Sequence, residues 1–314
     1  MSNPSVTIPI TSYNQLDYLV SSVESAVKQD YDNLLVTVYD DASTDGSQEY
    51  LREMAQKYPD RLKVHFNQER MGGERNRTQS VMLTDSKYVT YLDGDDMYLP
   101  GKIRKQVDYL EAHPEFDFIY HDVEAFDSKT NKPLFNWRDR FGYGEGNLKK
   151  ITRYGFGICS LSIMFRRKLF NGYVLPNNII NGSDWFLSLY ALAMGSGDYG
   201  YMDDVLARYR RHPENRTRNW DEKMASQHAT LDNIGKLVPD LATVIRHRRS
   251  DLQLIEGIYL FQQGNRSEGL AQLGKSLRYA APRFWQVLRL PLREIKFALQ
   301  TRRIDDLITS LLGG

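Results

Sequence analysis

One cysteine in 314 residues, Cys159, leaves nothing from which to build an internal disulfide framework and suits a reducing compartment. No stretch approaches the roughly 18 consecutive apolar residues of a membrane-spanning helix. Met1-Ser2-Asn3-Pro4-Ser5 has no basic segment leading into an apolar run, so no signal peptide is expected. Neither sign of charge dominates. With 41 basic and 40 acidic residues the net charge is +1, and no global field favours nucleic acid. Phosphate-cradling motifs are missing too: no Gly-x-Gly-x-x-Gly follows the first predicted strand, and no Gly-x-x-x-x-Gly-Lys-Ser/Thr occurs. A dinucleotide fold and a P-loop are therefore disfavoured. The expectation is a cytoplasmic protein, at most peripheral at the inner face of the plasma membrane, with one large domain and a smaller unit.

What is present centres on Tyr88-Val89-Thr90-Tyr91-Leu92-Asp93-Gly94-Asp95-Asp96. Its β-branched and aromatic lead-in predicts a buried strand over 88–92. The strand runs into three carboxylates around a glycine, where the backbone can turn freely. Carboxylates so crowded repel one another unless a cation sits between them, and Mg²⁺ or Mn²⁺ suits such oxygen ligands, with phosphate oxygens completing the shell. A solvated acidic turn that caps the next helix accounts for the same residues taken alone.

Upstream, a strand over 5–10, a helix over 16–29 and a strand over 34–39 form a parallel βαβ pattern. Asp45 and Gln48 resemble a capping box for a helix reaching 58. A strand over 62–66 and a helix over 74–83 follow. Thr11–Asn14, Asp40–Asp41 and Asp93–Asp96 all fall at the carboxyl ends of strands, where open parallel sheets bind ligands.

These segments, Pro9 to Asn14, Tyr39 to Ser47 and Leu92 to Asp96, resemble the successive signatures of glycosyltransferase family 2 over residues 5–215. The resemblance implies the GT-A fold, an α/β architecture with a mixed, mainly parallel sheet flanked by helices. It also implies transfer of a sugar from a nucleotide-sugar with inversion. Pro9, Thr11 and Tyr13 match the loop that wraps the base; a tyrosine ring offers a base a flat apolar surface, though Tyr13 also suits a helix staple. Asp41 matches the acceptor of a uracil N–H. Arg75 matches the arginine of an Ala-Arg-Asn element near the diphosphate, with Glu74 where alanine is usual. Asp95 matches the metal contact of the Asp-x-Asp element, Asp93 a ribose or water-mediated one. His212, in a Tyr-Arg-x-His-like run, matches a further metal ligand, and Arg210 a phosphate contact.

The second half should build the acceptor side. A helix is expected over 102–112, a strand over 116–123 with His121 as a structural residue, and a strand over 158–166. Between them 136–146 (Trp137, Arg138, Arg140 and Tyr143 among glycines) is irregular, and is either a sugar-facing or a solvated loop. A helix from Gly182 to Met194 carries Asp184 in its first turn, where an aspartate is commonly a cap. The resemblance makes Asp184 the catalytic base of a Glu-Asp pair, with Ser183 in place of the glutamate.

From 221 the pattern is helical, with a hairpin turning at Gln262-Gln263-Gly264-Asn265. Segment 283–303 mixes aromatics with basic residues, as a membrane-surface helix or a packing helix would. The expected organisation is a catalytic domain over 1–220 (nucleotide half 1–100, acceptor half 101–220) and a helical region over 221–314. The function implied is inverting transfer, from a UDP-sugar foremost, to a glycan or lipid-linked acceptor of bacterial surface polysaccharide, with Mn²⁺ or Mg²⁺ as cofactor. A homo-oligomer is compatible with this chain. A metal-dependent nucleotidyltransferase and a non-catalytic helical adaptor are the competing readings.

Overall fold

The computed structural model describes residues 3–155, 157–215 and 220–276. The alternation in the first half becomes β1 (Val6–Ser12), α1 (Leu16–Val27), β2 (Leu34–Asp40), α2 (Ser47–Lys57), β3 (Leu62–Phe66) and α3 (Gly73–Met82). β3, β2 and β1 lie side by side and parallel. The expected strand over 88–92 is two strands, β4 (Tyr88–Val89) and β5 (Leu92–Asp93), both parallel to β1. The break lies opposite Pro9, which has no N–H to offer on that side. Tyr98 donates its hydroxyl to the Tyr91 carbonyl there, 2.8 Å.

β6 (Met97–Tyr98) and α4 (Lys102–Ala112) lead to β7 (Phe118–Asp127), β8 (Pro133–Asn136), α5 (Trp137–Phe141), β9 (Gly146–Asn147) and α6 (Leu148–Tyr154). The irregular 136–146 stretch thus holds one short helix. The strand expected over 158–166 is only β10 (Met164–Arg166), because a 3₁₀ turn occupies Ser160–Ser162. α7 (Ser183–Met194) and β11 (Asp198–Arg211) complete the sheet, ordered β3-β2-β1-β4-β10-β7-β11-β6. β10 runs antiparallel to β4 and β7, while β11 is parallel to β7. The sheet is therefore mixed and mainly parallel.

Successive side chains alternate between two cores, as a strand's pleat requires. Tyr88, Ile119 and Met164 face α1 and α4; Val89, Phe118 and Phe165 face the side of α7. α8 (Trp220–Leu237) and α9 (Ala242–Gln262) add Met224, Leu231, Ile234 and Leu252 to this second core beside Trp185 and Leu189. A buried Arg153–Asp251 ion pair links α6 to α9. The hairpin after α9 turns where expected: Gly264 adopts a left-handed φ of 83°, Asn265 N–H bonds the Leu260 carbonyl at 2.9 Å, and a helix follows over 266–276. Among the described residues no helix is long and apolar enough to cross a membrane. Arg216, Arg218 and the 283–303 segment lie outside the described residues.

Candidate active site

Strand ends bring the polar clusters together. The Asp93–Asp96 turn presses on β1: Gly94 N–H bonds the Thr11 carbonyl at 3.0 Å, and a Cβ on Gly94 would come within 2.8 Å of that oxygen. Only glycine fits. The end of β11 then folds over the turn. His212 Nε2 lies 2.9 Å from Asp95 Oδ2, and Asn215 holds the His212 N–H through its Oδ1 at 2.8 Å. Arg210 donates its backbone N–H to Asp96 at 2.8 Å and its side-chain Nε–H to the Asp95 carbonyl at 2.7 Å. Its guanidinium also reaches Ser21, so here Arg210 braces the turn. Burial, with Asp95 and Asp93 close by, drives the Asp96 carboxyl far above the usual carboxylate range.

Asp95 and His212 are placed as two ligands of one ion would be. An oxygen and a nitrogen at 2.9 Å match adjacent ligands of an octahedral ion, whose spacing is about 3 Å for bonds of about 2.1 Å. The other ring nitrogen, Nδ1, is buried without a partner. No cluster of three or more His, Cys, Asp or Glu that could hold a metal occurs among the described residues. Asp95 and His212 would therefore supply part of a shell, as fits an ion that also takes phosphate oxygens.

The second group lies on α3. Arg75, the residue singled out in the sequence, is exposed, and it is Arg77 that turns inward. Its guanidinium grips both oxygens of Asp93, at 2.6 and 2.7 Å, and lies over the Tyr91 ring. Glu74, one turn earlier on the same face, stands 3.9 Å from it. Burial lowers the Arg77 pKa, but Asp93, Glu74, Tyr91 and Asp184 outweigh it and the net direction is up. Arg77 is thus a cation among three carboxylates.

Asp184 is one of them. The first-turn aspartate is not the cap of its helix. Glu74 takes that role: its carboxylate accepts from Gly182 N–H at 3.3 Å, Ser183 N–H at 3.0 Å and the Ser183 hydroxyl. Among the described residues the Asp184 carboxyl accepts from its neighbour's N–H, Trp185, at 3.1 Å. Burial raises its pKa, Arg77 opposes, and Glu74 and Asp93 add to the rise. Burial, then Asp96, Asp184 and Asp93, push the buried Cys159 thiol up. Sequence spacing carried one signal for Arg77, the i,i+3 step from Glu74; Asn215 and Cys159 carried none.

At the far end, β1 and β2 are stitched by Asn14 N–H to Ser43 Oγ (2.9 Å) and Thr44 N–H to Asn14 Oδ1 (2.8 Å). Pro9 is buried in β1, Thr11 donates to Asp93 Oδ1 at 3.3 Å, and Tyr13 is exposed beneath the Arg70 guanidinium at 4.1 Å. Asp41 is buried and accepts from Asn67 Nδ2, Met71 N–H and Gly72 N–H at 2.7–3.0 Å, which orders the approach to α3. The Asp45–Gln48 capping box does not form. Asp45 divides its oxygens between the Ser47 N–H at the start of α2, 3.1 Å, and the Leu16 N–H at the start of α1, 2.9 Å, and Gln48 turns to Asp40. In the 136–146 stretch, Trp137 donates to the Gly157 carbonyl at 2.8 Å and meets Tyr209 edge-on at 5.5 Å. His121 is buried and its pKa is driven down by burial, as suits a structural residue.

A profile described as "Glycosyl transferase family 2" matches residues 7–173, more than half the chain. The "Putative teichuronic acid biosynthesis glycosyltransferase TuaG" of Bacillus subtilis is 27% identical over 208 residues, spanning 66% of this chain and 79% of that protein. Among solved structures, S. aureus TarS 1–349 in complex with UDP-GlcNAc superposes with a TM-score of 0.66 at 16% identity, over 97% of this chain and 89% of the other. The mannosyltransferase PcManGT from Pyrobaculum calidifontis, in complex with GDP-Man and Mn²⁺, gives 0.63 at 18%, over 99% and 87%. At these identities the likeness carries the fold, which is GT-A.

Proposed function

Since the chain belongs to glycosyl transferase family 2, we propose that it is an inverting enzyme that moves a sugar from a nucleoside diphosphate, a UDP-sugar foremost, to an acceptor hydroxyl. Membership sets aside the nucleotidyltransferase and adaptor readings. Asp184 is the base. It takes the proton of the acceptor hydroxyl as that oxygen bonds to the anomeric carbon, and the bond from that carbon to the diphosphate oxygen breaks on the opposite face. The carrying observation is that Glu74 takes the Gly182 and Ser183 N–H groups, leaving the Asp184 carboxyl with the Trp185 N–H, while burial raises its pKa. We assign Pro9, Thr11, Tyr13 and Asp41 to the base end, Asp93 to the ribose or a water-mediated metal contact, and the exposed Arg75, with Arg210 beside the turn it braces, to the diphosphate. Mn²⁺ or Mg²⁺, held by Asp95, His212 and phosphate oxygens, would offset charge on the departing diphosphate.

The likeness to TuaG supports a surface-polysaccharide acceptor, glycan or lipid-linked, met at the cytoplasmic face. A panel of UDP- and GDP-sugars, assayed for hydrolysis and binding with and without Mn²⁺, tests the reading. Asp184→Asn should keep donor binding and lose about 10²–10⁴-fold in turnover. Full turnover in that variant would mean another base.

A further inference from the structure

The first turn of α7 has no cap of its own. Its N-cap, Gly182, has a left-handed φ of 76° and no side chain to offer; the Trp185 N–H meets the Gly182 carbonyl and Asp184 Oδ1, while the N–H groups of Gly182 and Ser183 turn outside the helix for an acceptor. A carboxylate from α3 fills the gap. Glu74 is 7% exposed, and its two oxygens take the N–H groups of Gly182 and Ser183 and the Ser183 hydroxyl. An anion at a helix N-terminus is favoured by the peptide dipoles, and more so where water is excluded. The next residue in the chain is Asp184. On its other side Glu74 meets Arg77, which grips Asp93.

We propose that Glu74 is the positioning residue of the base: by capping α7 from α3 it fixes the carboxyl of Asp184 against the Asp93 end of the site. This rests on Asp184 being the base. Three hydrogen bonds at the two residues before Asp184, made by a side chain from the helix that also carries Arg77, tie the base to the carboxylate turn along a path of Asp184, Ser183, Glu74, Arg77 and Asp93. The same pairing accounts for two departures from the resemblance. Glutamate stands at 74 where alanine is usual and serine at 183 where glutamate is usual, so a single carboxylate reaches this end of α7 from the other helix.

The test moves that carboxylate. In the full chain, Glu74→Ala should lower the turnover number by about 10²-fold, the size of effect expected when a reacting group is misplaced by an ångström, with the donor KM changed less than threefold. The donor used is whichever UDP- or GDP-sugar the unmodified protein hydrolyses fastest with Mn²⁺. Glu74→Gln, which keeps an acceptor for the Ser183 N–H, should fall between. The double variant Glu74→Ala/Ser183→Glu should regain at least tenfold over Glu74→Ala. Hydrogen exchange of the 180–187 segment needs no donor, and should speed up in Glu74→Ala and slow again in the double variant. Unchanged turnover in Glu74→Ala beside an inactive Asp184→Asn would overturn the role of Glu74 and leave the base standing. An active Asp184→Asn would instead remove the base itself. Exchange unaltered by Glu74→Ala would overturn the capping, whatever the turnover.

Discussion

Replacing Arg77 by methionine should be the most costly single change in the site. The side chain is 16% exposed and holds Asp93 through two short bonds, with Glu74 8% exposed beside it. Removing one partner of a buried ion pair costs about 3–5 kcal/mol, because the remaining charge stays desolvated. Asp93 is 30% exposed, so water recovers part of that and the lower end, about 3 kcal/mol, applies. For a chain of this size that is a fall of about 6 °C in melting temperature at pH 7.5. Arg77→Lys keeps the charge but not the planar group that lies over Tyr91, and should lose about half as much.

The pH dependence has a definite sign. Arg77 holds down the Asp184 pKa that burial raises, so its loss lets that pKa climb further. A raised carboxyl pKa in the folded state costs stability above that pKa, and the cost vanishes as the pH falls through it. The gap between Arg77→Met and the unmodified protein should thus be full at pH 7.5 and shrink toward pH 4. The acid limb of turnover should move to higher pH, since the base then loses its proton later. Thermal unfolding across pH 4–8 without metal, with the rate profile beside it, checks both. A variant as stable as the parent at pH 7.5, or a gap constant down to pH 4, would refute the account of Arg77 as the compensating cation.

Three further outcomes follow from the same geometry. His212→Ala should weaken Mn²⁺ binding in the presence of UDP at least about tenfold by calorimetry, and Asp95→Ala should abolish it; equal affinities would place the ion elsewhere. Trp137→Ala removes the indole that holds the Gly157 carbonyl and borders Tyr209, so the acceptor KM should rise with the donor KM unchanged. The fully buried Lys102, bonded to Thr90 and Gln106, has its pKa driven well down by burial. Lys102→Met should fold within about 1 kcal/mol of the parent at pH 7, and the parent should gain on it toward pH 10, because a lowered lysine pKa is a cost that disappears as the group deprotonates in the unfolded chain too.

Much of the architecture was legible because it is local. The βα alternation of the first half, the helices over 102–112 and 183–194, and the hairpin at Gly264 follow from apolar spacing and turn residues read within a dozen positions. The errors were also local rules overridden from a distance. Asp45 and Gln48 have capping-box spacing, yet Asp45 is shared between α2 and α1, and Asp40 claims Gln48. Thr90 and Tyr91 have strand propensity, yet Pro9 across the sheet cannot bond them. In the candidate site, Asp95 and His212 were named from the chain and stand 2.9 Å apart. Arg75 was named, and the inward position belongs to Arg77, since two residues along a helix nearly reverse the direction of a side chain.

Local pattern along the chain is enough to say which groups are available: a glycine-turned trio of carboxylates, a histidine after an arginine-rich strand, and an aspartate in the first turn of a helix. Tertiary structure alone decided their occupations. Whether Asp184 or another carboxylate caps its helix depends on a glutamate more than a hundred residues earlier, and whether Asp93 is a free anion depends on which face of α3 meets it. Hydrogen bonds and ion pairs are contests over a few ångströms, and distance along a chain does not reveal who stands within that range.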